Sequence, residues 1–574
     1  MQPFSLLLDH SHIMTADYRQ QALENPTLVL RQLYQTRPSG SFPRLVAEHF
    51  QKLFESQNAF QRIPLLDVNR PPESYEDRTL VRFRAMVQDT SLSTEMYLSQ
   101  FADGSCGGWG IYETDGGSSS SAQEVDYANL QECSVLWATS VPAESAWCTE
   151  ELNGSRAGPS RAPTSTTFDQ VSRRAHKYPH PDVNHVGVQV KIYDREGIDA
   201  YKSTDIVTFI GILSTEPCNL DQTHAAADVP TLHVLFSHRH MPTVLSRPFP
   251  RGESSARELR PLSIADGRKP EPIANDTQQV RDELISWIAQ EALGGDRVAA
   301  EWILLSCISR VQSRHPPLLP PSLVISHFPP PPPVPSTTAS VPPPVPTLST
   351  ILQLLLPLTD TLPLSLETLN KKRFVPESQE EDLHAGLLQL PQGTVVLITE
   401  GGVREGQLVE RGVMNVRAVQ DIMDSQTLAY VFPYSQFTFP TDITCIVLSE
   451  GRKSTFFRTD LNVPLRASAS PADVAALYKP ADEVKLPPAE RLAAFRDLVV
   501  GARSGKVQVP EATSEHIQAE FVRERQNDRS LTADDLIRWM TVAKLYALSL
   551  HEPSLSVGTW QRAKTFDDHR RAAA

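Results

Sequence analysis

The sequence predicts a multidomain α+β protein: a helical N-terminal segment, a β domain carrying flexible insertions, and an α/β domain finished by helices. Three observations predict it. Apolar residues recur at spacings of three and four before residue 60 and at a spacing of two from Leu80 onward, the marks of helix and of half-buried strand. Beyond residue 276, short continuous apolar runs alternate with helical stretches, as in a sheet covered on both faces. The chain's 574 residues exceed what one core ordinarily serves.

Residues 1–60 form the helical segment, in which Val46, Phe50, Leu53 and Phe54 share a stripe with Glu48, Gln51 and Lys52 between them. Residues 61–241 form the β domain. Val81, Phe83, Ala85 and Val87 alternate with Arg82 and Arg84; Val186, Val188, Val190 and Ile192 alternate with Gly187, Gln189, Lys191 and Tyr193. Ile206–Leu213 is apolar on both faces, and Leu232, Val234 and Phe236 alternate again. Residues 103–124, rich in Gly and Ser, and residues 152–184, with Ser-Arg-Ala-Gly-Pro-Ser-Arg-Ala-Pro at 155–163, carry too little apolar surface to offset their ordering entropy. Both are expected to be disordered insertions. Residues 242–275, polar and Pro-containing, read as a linker.

Residues 276–574 form the α/β domain. Asp282–Ala292 and Asp296–Val311 read as helices, the second with Val298, Trp302, Leu305 and Ile308 on one stripe. Ser322–Ser326 is a brief strand. It runs into a polyproline insertion, 328–347, with Pro329–Pro333 and Pro342–Pro344, where polyproline II is the regular conformation readily open to the chain. Thr394–Ile398 and Ile443–Leu448 read as buried strands, with a helix over Val413–Met423 between them. Thr532 and Asp535 make a capping box that starts a helix near Ala533, striped by Leu536, Met540, Ala543 and Ala547; a last helix holds Trp560 and Ala563.

Composition narrows the function. Forty per cent hydrophobic and 21% charged residues are globular values, so disorder is local; 47 Pro against 26 Gly marks where regular structure stops. A net charge of −14 argues against affinity drawn from broad phosphate neutralisation. The six cysteines, Cys106, Cys133, Cys148, Cys218, Cys307 and Cys445, contain no C-x-x-C, so neither a zinc knuckle nor a disulfide framework is indicated and a reducing compartment fits. Leu6–Leu8 is too short for a signal sequence and no window of about 18 apolar residues exists, which points to the cytosol or nucleus and away from membranes.

The order of strands and helices is that of a nucleotide-hydrolysing module, whose test is phosphate chemistry. Such a module needs G-x-x-x-x-G-K-[ST] after its first strand, because backbone N–H groups cradle the phosphates and the lysine meets their charge. Here Leu323-Val324-Ile325 leads to His327-Phe328 and prolines, which have no N–H to donate. Thr399 stands before Glu400 where a metal-binding aspartate would be expected, so ATP hydrolysis is not expected. The histidine groups His10/His12, His176/His180/His185 and His238/His240 lack the spacing of a metal site. There is no G-x-S-x-G, and a Ser-His-Asp arrangement has no positive support. Arg82, Arg84, Tyr193 and Tyr201 could line a barrel face for single-stranded nucleic acid, but a solvated outer face is the reading preferred. Arg173-Arg174 and Lys371-Lys372-Arg373 are short basic clusters compatible with nuclear import.

Ordered strings along the chain are more specific. Ile63-Pro64-Leu65-Leu66-Asp67-Val68, Leu80-Val81-Arg82-Phe83-Arg84-Ala85-Met86-Val87-Gln88-Asp89 and Val141-Pro142-Ala143-Glu144-Ser145-Ala146-Trp147 come first. Val190-Lys191-Ile192-Tyr193-Asp194, the run Asp205–Ser214, Gly386-Leu387-Leu388-Gln389-Leu390-Pro391, Leu448-Ser449-Glu450-Gly451-Arg452, Phe521–Arg525 and Leu531–Leu536 follow. Together they resemble the family of mini-chromosome maintenance (MCM) complex-binding proteins. The resemblance implies a split OB-like domain, a degenerate AAA+-like core and terminal helices. It implies a non-catalytic partner or chaperone of the replicative helicase subunits, supporting their assembly and nuclear supply and their removal from chromatin late in replication. In such a degenerate core Ser449-Glu450 and Thr532–Asp535 stand where a helicase subunit has its sensor asparagine and arginine. No catalytic, cofactor-binding or metal-binding residues and no cofactor are then expected. Nor is direct nucleic-acid contact, and the expected location is the nucleus with a cytoplasmic pool. An OB-fold single-strand binder and a divergent ATPase are the alternatives. The insertion at 328–347 departs from the family pattern.

Overall fold

The computed structural model describes residues 16–36, 42–112, 127–153, 174–194, 201–218, 227–240, 245, 247–250, 273–332, 344–380, 382–403, 405–466 and 471–573. The first sheet takes β1 (Leu65–Leu66), β2 (Leu80–Asp89), β3 (Glu95–Leu98), β4 (Leu130–Ser140), β5 (Gly187–Ile192), β6 (Ile206–Cys218) and β7 (Ala227–Arg239) in the order β1-β2-β6-β7-β5-β4-β3. Because β2 also pairs with β4, strands β2, β6, β7, β5 and β4 close into a ring. All its pairs are antiparallel except β5 with β7. Val81, Phe83, Ala85, Val87, Val188, Val190, Phe209 and Leu232 fill the interior.

The alternating residues of β2 were expected to face water and do not. The helices Pro26–Thr36 and Phe42–Leu53 lay Val29, Leu30, Val46, Phe50 and Leu53 against Ile210, Ile212, Leu235 and Phe236, so the ring is covered outside as well as filled inside. Arg82 is buried; its Nε donates to Ile63 O at 3.0 Å and its guanidinium lies over the Phe60 ring. Arg84 pairs with Glu144, each side chain only 9% exposed. Tyr193 is buried and stacked on Trp109, and Tyr201 shares a 2.8 Å hydrogen bond with Ser237. The solvated face expected for these four residues is thus corrected: Phe60 covers Arg82, Trp109 covers Tyr193, Glu144 meets Arg84, and Tyr201 is half-buried.

Trp109 itself lies in a stretch read as a flexible insertion. Over 106–111 the chain is packed, with Cys106, Trp109 and Ile111 buried and Trp109 Nε1 donating to Val234 O at 3.0 Å. Residues 174–184 of the second expected insertion are also held, with Lys177 and Tyr178 buried; 113–126 and 154–173 lie outside the described residues. Within the expected linker, Leu245 is buried and Arg247 pairs with Glu151 and Asp497.

In the second half a two-stranded ribbon of β8 (Ser313–Arg314) and β9 (Pro317–Leu318) precedes the larger sheet. There β10 (Leu323–Ser326), β11 (Thr359–Pro363), β14 (Thr394–Thr399), β17 (Ile443–Leu448) and β18 (Leu461–Pro464) form an all-parallel sheet, β11-β14-β17-β10-β18. A smaller sheet, β13-β12-β15-β16, is built from β12 (Glu377–Gln379), β13 (Asp382–His384), β15 (Thr427–Phe432) and β16 (Ser435–Pro440). The continuous apolar runs are explained by cover on both faces. Leu323, Ile325, Val395, Leu397, Ile446 and Leu448 meet the helices Ile273–Ala292, Arg297–Ile308, Thr347–Leu355, Ala489–Ser504 and Ala533–Ser549. Val324, Val396, Ile398, Ile443 and Val447 meet the helix Glu410–Ser425 and the small sheet.

Arg297–Ile308 carries no narrow stripe: every residue from Ala299 is buried save Glu301, while Val298 is 38% exposed. The C-terminal stripe is real. Ala543 and Ala547 are buried with Trp539, Ile517, Trp560 and Ala563, and Leu536 and Met540 pack at the margin of that cluster.

Candidate functional site at the carboxyl end of the parallel sheet

In open α/β sheets ligands bind outside the carboxyl ends of the strands, where successive connections leave in opposite directions. Here that place lies beyond β10 and β17, since the chain leaves β10 for β11 on one side and β17 for β18 on the other. The protein's own backbone fills it. His327, in the left-handed region at φ 57, turns the chain so that its N–H reaches Gly451 O at 3.0 Å and that of Phe328 reaches Ser449 O at 2.9 Å. These amides would have formed a phosphate cradle, and both are already spent.

The prolines then close over the crevice. Phe328 is buried, Pro329 O accepts from Tyr478 Oη at 2.7 Å, and a Cβ added to Gly401 would lie 3.1 Å from Pro331 and 3.4 Å from a Glu450 carboxylate oxygen. At the far end Pro346 precedes the helix Thr347–Leu355, so both flanks of the polyproline insertion pack; 333–343 lies outside the described residues. Glu400 is 6% exposed and accepts from Thr455 N at 3.0 Å and from Ser454 Oγ, which leaves it occupied in fastening the 454–457 turn. Ser449 Oγ donates to Lys453 O at 3.0 Å, and partial burial pushes the Glu450 carboxyl up. Thr532 and Asp535 cap their helix, with Thr532 N donating to Asp535 Oδ2 at 3.0 Å and Arg538 and Arg571 also on that carboxylate.

A second polar concentration joins the two halves. Segment 174–184 enters between β2 and β13: Lys177 Nζ reaches Asp89 Oδ2 at 2.9 Å and also pairs with Asp382, on which Arg174 (3.2 Å) and His176 (2.8 Å) converge. Burial would raise the Asp382 carboxyl, but His176 and Lys177 outweigh it and hold it well below the usual carboxylate range. His384 lies against His176 with ring centroids 4.2 Å apart and the rings tilted by 33°, and burial together with His176 and Arg373 pushes it down to about 4. His180 bonds Asp360 at 3.0 Å. Beside them Gln389 Nε2 donates to Gln88 O at 2.8 Å, Ser203 meets Tyr430 at 2.7 Å, and Ser145 N donates to Pro357 O at 2.9 Å. His176 and His180 thus belong to a packed segment, against the disordered setting expected for them. His238 and His240 sit apart, the latter on Thr208 at 2.8 Å, and His10 and His12 lie outside the described residues. The basic residues Lys371, Lys372 and Arg373 are paired with Glu367, Asp182 and Glu377. Arg174 belongs to the junction, and Arg173 lies outside the described residues.

One serine–histidine contact does form, Ser214 Oγ to His233 Nε2 at 2.9 Å, but Glu216 Oε1 shares that same nitrogen at 3.0 Å while Tyr193 takes Nδ1 at 2.7 Å. In a hydrolytic triad the acid orients the nitrogen opposite the nucleophile. Here the acid competes with the serine, and the cluster fastens Tyr112 and Lys191 to β6. Spacing could not have revealed this cluster or the 174–184 junction, because their members come from separate strands and loops.

Comparison with known proteins adds a lineage. The model of a family described as mini-chromosome maintenance replisome factor matches residues 50–177 and 160–574. The protein named mini-chromosome maintenance complex-binding protein in Arabidopsis thaliana is 26% identical over 90% of this chain and 91% of its own. Those of Gallus gallus and Homo sapiens are each 25% identical, covering 96% and 92% of this chain and 97% and 93% of theirs.

Proposed function

The chain belongs to the mini-chromosome maintenance replisome factor family, and from that premise we propose that it is a non-catalytic partner of the MCM helicase subunits, acting in DNA replication. It accompanies their assembly and supply to the nucleus, draws on a cytoplasmic pool, and assists their removal from chromatin. The observation that carries this reading is the filled crevice: the backbone donors after β10 are bonded to Ser449 and Gly451, leaving shape rather than chemistry to act with. Support for the OB-like half comes from the closed five-stranded ring, an arrangement used by such barrels. Support for the AAA+-like half comes from a parallel sheet whose first strand lies inside it, between its fourth and fifth. On this reading residues 61–241 and 276–574 are the two domains, and 1–60 caps the first. Among the described residues no helix is long and apolar enough to cross a membrane.

Affinity purification from dividing cells, with identification of every co-purifying chain, tests the proposal. Helicase subunits should be recovered in stoichiometric amounts. Their absence, or recovery only when DNA is present, would refute the reading.

A further inference from the structure

We propose that His176, Asp382 and His384 form a binding site for one divalent transition-metal ion of the zinc class, with the fourth position open to solvent. The topology makes the set. Asp382 and His384 are alternate residues of β13 and share one face of it. His176 is held opposite them because its carbonyl accepts from Ala385 N at 2.8 Å. The three donor atoms lie within 4.8 Å of one another, and His176 Nε2 is already 2.8 Å from Asp382 Oδ2.

Two imidazoles and a carboxylate suit zinc and its neighbours rather than magnesium or calcium, which take oxygen donors. A tetrahedral ion with ligand bonds of about 2.0–2.2 Å spaces its donors roughly 3.4 Å apart, so the set closes by rotation of the His384 ring. That ring is half-buried, lies against His176 and makes no hydrogen bond to a described residue, so it can turn toward an ion without breaking one of those. Three cations oppose the ion: Lys177 pairs with Asp382 as well as Asp89, Arg373 bears on His384, and Arg174, 3.2 Å from Asp382 Oδ2, is the group an incoming ion displaces. An occupied site would fasten the segment bearing His176 to the small sheet.

The test uses the full chain without a polyhistidine tag, stripped with EDTA, titrated with Co²⁺ by visible absorption and with Zn²⁺ by calorimetry. One ion should bind per chain, with the strong visible bands of four-coordinate cobalt. His384→Gln removes no hydrogen bond to a described residue and should keep the fold by circular dichroism. It should weaken binding by at least the ~10–100-fold that loss of an outer-shell partner costs a metal site. Arg174→Gln should tighten binding, and His180→Gln should leave it unchanged. No uptake at micromolar concentration, uptake that survives His384→Gln, or weaker binding in Arg174→Gln would each overturn the proposal.

Discussion

Lys177 Nζ stands 2.9 Å from Asp89 Oδ2 with neither side chain exposed to water, although the lysine comes from the segment after residue 173 and the aspartate from the end of β2. Asp89 accepts from Ser91 on its other oxygen at 2.8 and 2.6 Å. Removing one partner of a buried pair strands the other charge, so Lys177→Met is expected to cost about 3–5 kcal/mol in urea unfolding. Lys177→Met with Asp89→Asn should recover much of that loss. A single mutant within 1 kcal/mol of the parent would show that the pair is solvated.

His240 gives the fold an acid limit. Burial, aided by Arg84 and His238, pushes it down to about 4 from its ordinary 6.5, so the folded state favours the neutral ring that bonds Thr208. A depressed histidine contributes stability that is complete above pH 6.5 and is lost as pH falls towards 4, up to about 3 kcal/mol at the lower end. His240→Gln should therefore lose less stability than the parent between pH 7 and pH 4.5, measured by chemical denaturation at each pH. Equal losses would place the titrating group elsewhere.

Nucleotide should neither bind nor stabilise. With the His327 and Phe328 amides bonded to Gly451 and Ser449, calorimetry with MgATP should show no binding tighter than ~1 mM, where about 4 kcal/mol suffices. Glu400→Ala should instead lower stability by about 1–3 kcal/mol, because Thr455 N and Ser454 Oγ lose their acceptor. A micromolar ATP affinity abolished by that substitution would mean the crevice opens.

Leu536 borders the C-terminal apolar cluster with Trp539, Trp560 and Ile517. Leu536→Asp sets a carboxylate among these groups and is expected to cost several kcal/mol, with partner capture lost only through unfolding. Thr532→Ala should cost about 1 kcal/mol through the weakened cap. Normal melting of Leu536→Asp with no capture of helicase subunits would make that stripe a docking surface.

What could be read from the sequence was whatever repeats locally. Val81 to Val87 and Ile443 to Leu448 announce strands because each neighbour two residues on meets the same environment. The helix Thr347–Leu355 was hidden by the prolines directly before it, and the hairpin of β15 and β16 by its second strand, Ser435–Pro440, which is exposed throughout and so carries no buried face to read. For the crevice, the prolines revealed that no phosphate nest could form, but not that Gly451 and Ser449 take up the remaining amides. Segment 174–184 was misjudged for a physical reason: a polar stretch with little apolar surface can still be buried if its charges find partners. Those partners, Asp89 and Asp382, are supplied from far along the chain.

That distance has a kinetic side. Gln88 and Gln389, which bond each other in the junction, are separated by 301 positions. At a synthesis rate of ~5–20 residues per second the second arrives roughly 15–60 s after the first. The ring of five strands is complete by residue 239, so it waits on the ribosome with one flank, including Lys177, still facing water. A nascent chain halted before residue 380 should expose that flank to chaperones and proteases. The same chain released at full length should conceal it.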